Sequence, residues 1–245
     1  MNPKSDRADK VLVALGHFES RSAAQAAIAA GLVKVSGRVL KKPSEKITPD
    51  QNIAAELAHP WVSRSGLKLE HALEVFGVDV TGLHCLDVGA STGGFTEVLL
   101  SRGAASVVAV DVGRDQLHER LKGDGRVTSL EALDARALTA VHVGTPPLLV
   151  VCDASFISLS KLLSVPLSLA AEDAKLVTLF KPQFEVGREN VGKGGIVSNS
   201  KAIVQAEAAF VEWLDQLGWR VEACADSPIK GGDGNAERLI YAVKA

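Results

Sequence analysis

The chain has 245 residues, 47% of them hydrophobic and 23% charged, with a formal net charge of −2. That is enough sequence to bury one large α/β core with a small appendage, and it excludes a disordered chain or a stapled mini-protein. Three cysteines, Cys85, Cys152 and Cys224, stand far apart in no CxxC pair, so neither a disulfide framework nor a metal-ligand spacing is expected. The N-terminal run MNPKSDRADK has no apolar signal core and no stretch approaches 18 uninterrupted apolar residues, which points to reduced thiols, a cytoplasmic location and no membrane partner.

Residues 1–60 carry nine Lys/Arg against six Asp/Glu, so the N-terminal piece is basic although the whole chain is not. From Arg7 to Ala30 the pattern predicts two helices. Val11, Leu12 and Leu15 form one apolar stripe, Ser20 caps the second helix and Gly31 ends it. Leu32 to Val35 alternates like a strand, Ser36-Gly37 turns the chain, and Val39-Leu40 resumes. This unit resembles the S4 RNA-binding domain through Arg7, Asp9, Ser20, Arg21, Gly31, Val33, Val35 and Gly37. The resemblance implies that Arg7, Arg21, Arg38, Lys41 and Lys42 face phosphate. A stretch from Pro43 to Pro60 reads as a further hairpin and a linker, placing a domain boundary at 60/61.

Beyond it, Arg64 to Phe76 has helical spacing, with Leu69, Ala72, Leu73 and Phe76 on one face and Arg64 and Lys68 four apart on another. From Leu83 onward strands and helices alternate: LHCLDVG, a helix from Thr92, SVVAVD, a helix near Asp115, PLLVVCD, a helix near Leu159, AKLVTLF, a helix from Ser200 to Leu217, and two final strands. Alternation of this kind predicts an α/β fold, a doubly wound Rossmann-like sheet.

Asp87, Gly89, Ser91, Thr92, Gly93, Gly94 and Phe95 lie where the first strand hands over to a helix, and glycine there lets a ligand approach the backbone. The spacing G-x-x-x-G-G is not the dinucleotide fingerprint, and the second strand ends in Asp111, 22 residues after Gly89, where a carboxylate can hold both ribose hydroxyls of an adenosine. Together these resemble S-adenosyl-L-methionine-dependent methyltransferases. Asp134 is placed where that superfamily contacts adenine.

Ligands of open α/β sheets sit beyond the carboxyl ends of the strands. Asp153 and Lys181 each follow an apolar strand directly, and Lys68 and Glu237 complete a Lys, Asp, Lys, Glu set. The segment Asp153-Ala154-Ser155-Phe156 lacks the Pro-Pro-aromatic platform of base-nitrogen methyltransferases. Methylation of a pyrimidine carbon needs a thiolate, yet Cys85 and Cys152 fall inside apolar strands and Cys224 has no evident base. A ribose hydroxyl is a weak nucleophile that needs a positioned base, and a pair of lysines held by carboxylates supplies one; Lys181 is the expected base.

Trp61 to Leu69, DVGASTGGF, CDASFISL, LFKPQFEVGRENVGKGGIV and SPIKGGDGNAERL together resemble the TlyA-type, or hemolysin A, family of ribosomal RNA methyltransferases. Trp61 and Ser65 depart from the family pattern, where Tyr and Gly are commoner. The resemblance implies an FtsJ-type catalytic half over 61–245, a seven-stranded sheet with a final antiparallel strand, and a catalytic tetrad at Lys68, Asp153, Lys181 and Glu237. It further implies methyl transfer from S-adenosyl-L-methionine to cytidine ribose oxygens in ribosomal RNA of the large subunit, and in some members also the small. Arg64, and Arg188 and Lys193 in the glycine-rich loop 187–195, are further expected RNA contacts, with that loop closing over RNA or cofactor. Two other readings stand beside this one: a non-catalytic RNA-binding assembly factor, and a membrane-active hemolysin. Oligomeric state is left open.

Overall fold

The structure, a computed structural model, describes residues 4–18 and 20–245 and divides into two units, Met1–Pro60 and Trp61–Ala245.

In the first unit, β1 (Asp6–Arg7), α1 (Ala8–Ala14) and α2 (Arg21–Ala29) precede strands β2 (Val33–Val35), β3 (Arg38–Val39), β4 (Lys46–Ile47) and β5 (Ile53–Ala55). Ser20 caps α2 by accepting the Ala23 N–H at 3.2 Å, and Gly31 leaves the helix at φ 75°. Ser36 and Gly37 are both left-handed, at φ 49° and 79°, which makes the tight turn that pairs β2 with β3. Alanines at 8, 24 and 27 bring the helices close around Leu12, Phe18, Ile28 and Leu40. Leu15, expected on the apolar stripe, instead ends α1 at 42% exposure, because the helix stops before another turn could carry it inward.

Within that core Asp9 is fully buried as a charged group. It accepts from Arg7 Nε at 2.9 Å, Arg21 Nη2 at 2.8 Å and Gln25 Nε2 at 2.8 Å. The Arg7 guanidinium first, then Arg21 and Gln25, hold its carboxyl well below the usual carboxylate range. A lowered carboxylate stabilises the fold above its ordinary pKa, and that contribution is lost as pH falls through the folded value. Because both arginines reach solvent, Asp9→Ala is expected to destabilise this unit by roughly 2 kcal/mol, read in urea denaturation of the full chain; a change below the error of the fit would contradict the account.

The second unit opens with α3 (Ser65–Val75) and continues β6 (His84–Val88), α4 (Gly94–Ser101), β7 (Ser106–Asp111), α5 (Glu119–Lys122), β8 (Val127–Glu131), α6 (Ala140–Val143), β9 (Leu149–Cys152), α7 (Leu159–Ser168), β10 (Lys175–Phe180), α8 (Pro182–Glu185), α9 (Ser200–Gln216), β11 (Trp219–Asp226) and β12 (Arg238–Lys244). The sheet order is β11-β12-β10-β9-β6-β7-β8. Strand β12 runs antiparallel to both β10 and β11, and the other neighbours are parallel. One face carries α7 and α9 over Leu86, Val88, Val110 and Phe180, and the other carries α3 and α4 over Cys85, Val107, Val177 and Leu179. Strand β8 has no counterpart in the sequence reading; it is an edge strand whose Thr128 and Ser129 face solvent, so its apolar signal is weak. Among the described residues no helix is long and apolar enough to cross a membrane.

Candidate active site

The chain order reverses between β6 and β9, and a cavity of about 600 Å³ opens there at the carboxyl ends of the strands. Gly89, at φ 81°, forms part of its floor; a Cβ there would stand 3.0 Å from Ala154 Cα, so the two strand ends meet only because residue 89 lacks a side chain. Ser91, left-handed at φ 48°, donates its N–H to Asp111 Oδ2 at 2.9 Å, while the Gly113 N–H donates to Oδ1 at 2.7 Å. Two backbone donors therefore fix the Asp111 carboxylate against the cavity. Asp134 also lines the cavity, and its carboxylate is bracketed by Arg136, with Nη2 at 2.6 Å from Oδ2, which lowers its pKa.

The remaining residues of the glycine turn stand behind the cavity. Strand period 2 turns Asp87 away from it, onto the face where Cys85 packs, and there Asp87 accepts from Thr96 Oγ1 at 2.7 Å. Burial pushes the Asp87 carboxyl up to about 7. Phe95 is core, and Gly93, at φ 95°, begins α4 where a Cβ would meet Leu121 and Leu117. Gly94 leaves room for the hydroxyls of Ser63 and Ser65. Thr92 is exposed and its carbonyl accepts the His118 N–H.

Beside the cavity lies a run of alternating charges. Lys68 Nζ is 2.6 Å from Glu237 Oε2 and 3.7 Å from Asp153 Oδ2, and Lys181 Nζ is 2.6 Å from Asp153 Oδ1. Lys68, Lys181 and Glu237 are each at most 6% exposed, and Asp153 lines the cavity. Four residues from α3, the ends of β9 and β10, and the start of β12 thus meet in one place, with two positive and two negative groups that balance. Gly231 makes room for this arrangement, since a Cβ there would fall 2.5 Å from Glu237 Oε1.

Two contacts of this site are not singled out by the sequence reading. Ser155 Oγ accepts from Lys181 Nζ at 3.0 Å, and Glu185 Oε1 accepts the Leu159 N–H at 2.9 Å. Ser155 was readable as a polar residue two positions after Asp153; Glu185 acts across 26 residues of sequence, which no local pattern signals. Cys85 and Cys152 are buried and burial pushes both thiols up to about 12, so neither is a thiolate near neutral pH.

The expected phosphate contacts are distributed over both units. Arg7 and Arg21 are tied to Asp9 yet leave 36% and 52% of their side chains exposed. Arg38 pairs with Glu45 at 2.8 Å, and Glu45 also accepts the Lys41 and Lys42 N–H groups, which leaves both lysine side chains exposed. In the second unit Arg64, Arg188 and Lys193 are exposed. The loop 187–195 forms two short 3₁₀ turns, Arg188–Asn190 and Lys193–Gly195. Buried Asn235 holds its end, donating to the Gly195 carbonyl at 2.8 Å and accepting the Val197 N–H at 3.0 Å.

A sheet of this order with a ligand cavity at its switch point is the architecture of enzymes that use nucleoside cofactors. The FtsJ-like methyltransferase family matches residues 61–244, and the S4 domain matches residues 6–53. TlyA of Mycobacterium tuberculosis, a 16S/23S rRNA (cytidine-2'-O)-methyltransferase, is 44% identical over 237 residues, spanning 96% of this chain and 88% of its own. Hemolysin A of Brachyspira hyodysenteriae is 39% identical over 236 residues, 96% of this chain and 98% of its own. A solved structure from Streptococcus thermophilus superposes with a TM-score of 0.76 at 39% identity, covering 100% of this chain and 90% of that one. Magnesium protoporphyrin IX methyltransferase of Synechocystis PCC 6803, solved with SAH bound, shares the fold at a TM-score of 0.52 and 18% identity, covering 74% of this chain and 82% of that one. The chain belongs to the FtsJ-like methyltransferase family, in the TlyA-type group that carries an S4 domain ahead of the catalytic unit.

The raised Asp87 carboxyl has a measurable consequence. The native state holds that proton more tightly than the unfolded chain does, so stability falls as pH rises from about 4 to about 7. Asp87→Asn cannot ionise and is expected to flatten this slope, measured as urea midpoints at several pH values across that window; parallel slopes for the two proteins would contradict the assignment.

Proposed function

We propose that the chain transfers a methyl group from S-adenosyl-L-methionine to the ribose 2′-hydroxyl of a cytidine in ribosomal RNA of the large subunit, with the small subunit as a second substrate. The observation that carries this reading is the buried set Glu237, Lys68, Asp153 and Lys181 opening on the cavity at the switch point. The cavity fits the cofactor: Asp111 presents a fixed carboxylate to ribose hydroxyls, Gly89 and Ser91 allow close approach of the backbone, and Val88, Leu133 and Ile157 give apolar walls. Asp134, also in the cavity lining, would meet the adenine. When bound, the cofactor supplies an electrophilic methyl group on a sulfonium that leaves as a neutral thioether.

The chain's own residues deal with the proton. A ribose hydroxyl becomes a competent nucleophile as its proton passes to a positioned base. Lys181 first releases the proton of its resting ammonium to solvent and then accepts the hydroxyl proton at Nζ. The ammonium so formed is received by groups that already surround it, the Asp153 carboxylate at 2.6 Å and the Ser155 hydroxyl at 3.0 Å. Lys68 holds the other oxygen of Asp153 and is itself held by Glu237, so Asp153 keeps its orientation through the cycle. Lys68, Lys181 and Glu237 are shielded from solvent, which strengthens each of these interactions.

Arg7, Arg21, Arg38, Lys41 and Lys42 of the S4 unit, and Arg64, Arg188 and Lys193 of the catalytic unit, would contact the RNA backbone. Such contacts position the substrate without reading its sequence, and they make binding salt-dependent.

Undermethylated ribosomal subunits, assayed separately with labelled S-adenosyl-L-methionine, are expected to accept methyl groups on cytidine. Lys181→Ala should lower the single-turnover rate about a hundredfold or more at saturating cofactor, with cofactor affinity held within about threefold. Full transfer by Lys181→Ala would remove it as the base. Cofactor binding without transfer to either subunit would support a non-catalytic assembly factor instead. Gly89→Ala, which places a methyl group against Ala154, is expected to weaken cofactor binding at least tenfold by calorimetry, and unchanged binding would place the cofactor elsewhere.

A further inference from the structure

We infer that Glu185 is a positioning residue for this reaction: its carboxylate pins the start of α7 and with it the loop 153–158, keeping Asp153 and Ser155 on Lys181. The inference rests on the proposed methyl transfer.

Loop 153–158 joins the end of β9 to α7 and carries two of the groups around Lys181. Its backbone is in an uncommon conformation, with Phe156 left-handed at φ 69° although it is aromatic and 90% exposed. Such a conformation persists only where neighbouring structure over-determines it. The neighbour is the segment 181–185, which touches the loop at three places. Lys181 Nζ meets Asp153 and Ser155 at the entry, the Phe184 and Phe156 rings lie 5.2 Å apart in the middle, and Glu185 accepts the Leu159 N–H at the exit.

The last contact is the one that a local residue would be expected to make. Ser158 occupies the N-cap position of α7, but its side chain makes no capping bond. The Leu159 N–H, among the first donors of a ten-residue helix, is satisfied from another element by Glu185. Glu185 is half-buried, and burial pushes its carboxyl up to about 7. A costly group in this place is explained if its work is to hold the loop. Because Lys181 is the N-cap and Glu185 the last residue of the single turn of α8, opened by the rigid Pro182, the base and the pin move together.

Three variants separate this role from general stability. Glu185→Gln keeps an acceptor oxygen at the same reach, Glu185→Asp draws it back by one methylene, and Glu185→Ala removes it. Steady-state transfer to undermethylated subunits should show kcat at least tenfold lower for the Ala and Asp variants, with KM for S-adenosyl-L-methionine raised by a smaller factor because Ala154 and Ile157 of the same loop line the cavity. The Gln variant should stay within threefold in both. Hydrogen exchange on the same proteins should be at least tenfold faster across residues 154–160 in Glu185→Ala and unchanged in Glu185→Gln. Wild-type kcat in Glu185→Ala, unaltered exchange, or equal losses in the Ala and Gln variants that follow an equal fall in Tm would each overturn the positioning role. A wild-type protein that methylates no ribose would overturn the proposed function instead, and the exchange measurement then decides the pinning alone.

Discussion

Four charged side chains taken out of water can coexist only if each has an opposite neighbour, and the catalytic unit is arranged around that constraint. Glu237, Lys68, Asp153 and Lys181 alternate in sign along a short path, with contacts of 2.6 Å at each end and 3.7 Å in the middle. Removing any one leaves a buried charge uncompensated, which costs more than the pair contributes. The set is therefore better understood as a device for orientation than as a source of stability. It joins α3, β9, β10 and β12, and the antiparallel entry of β12 between β10 and β11 is what delivers Glu237 to the same end of the sheet as Asp153 and Lys181.

The cavity and the charged set share one wall. Asp153 belongs to both, and Gly89 and Gly231 are each needed where a side chain would intrude, against Ala154 in one case and Glu237 in the other. Residues of the single loop 153–158 thus face both the cavity and Lys181, and the conformation of that loop becomes the quantity on which the geometry of the site depends. The S4 unit contributes differently. Its buried Asp9 fixes two arginines whose outer faces stay open to solvent, so two cationic groups are held in place at the surface of this unit.

Much of this architecture was legible in the sequence because it is written in local pattern. Apolar runs ending in a charge mark strand ends at Asp111, Asp153 and Lys181, and the spacing of Gly89 from Asp111 marks the side of the sheet on which the cavity opens. What was not legible follows from the third dimension. Asp87 sits in the recognisable motif, yet alternation along β6 turns it toward Thr96 and the core. Strand β8 carries too few apolar residues to announce itself, since an edge strand buries only part of one face. Glu185 and Ser155 matter through contacts with groups 26 residues away, which only the folded chain brings together.

The central claim, that the methyl group goes to a ribose oxygen and not to a base, is tested most directly by alkaline hydrolysis of the methylated RNA. Cleavage by alkali requires a free 2′-hydroxyl, so a methyl group there blocks the chain break that would otherwise follow that nucleotide. The account predicts a gap in the hydrolysis ladder at the labelled cytidine, produced by the wild-type protein and missing with Lys181→Ala. Label on a nucleotide that stays fully alkali-labile would place the methyl group on the base and contradict the account.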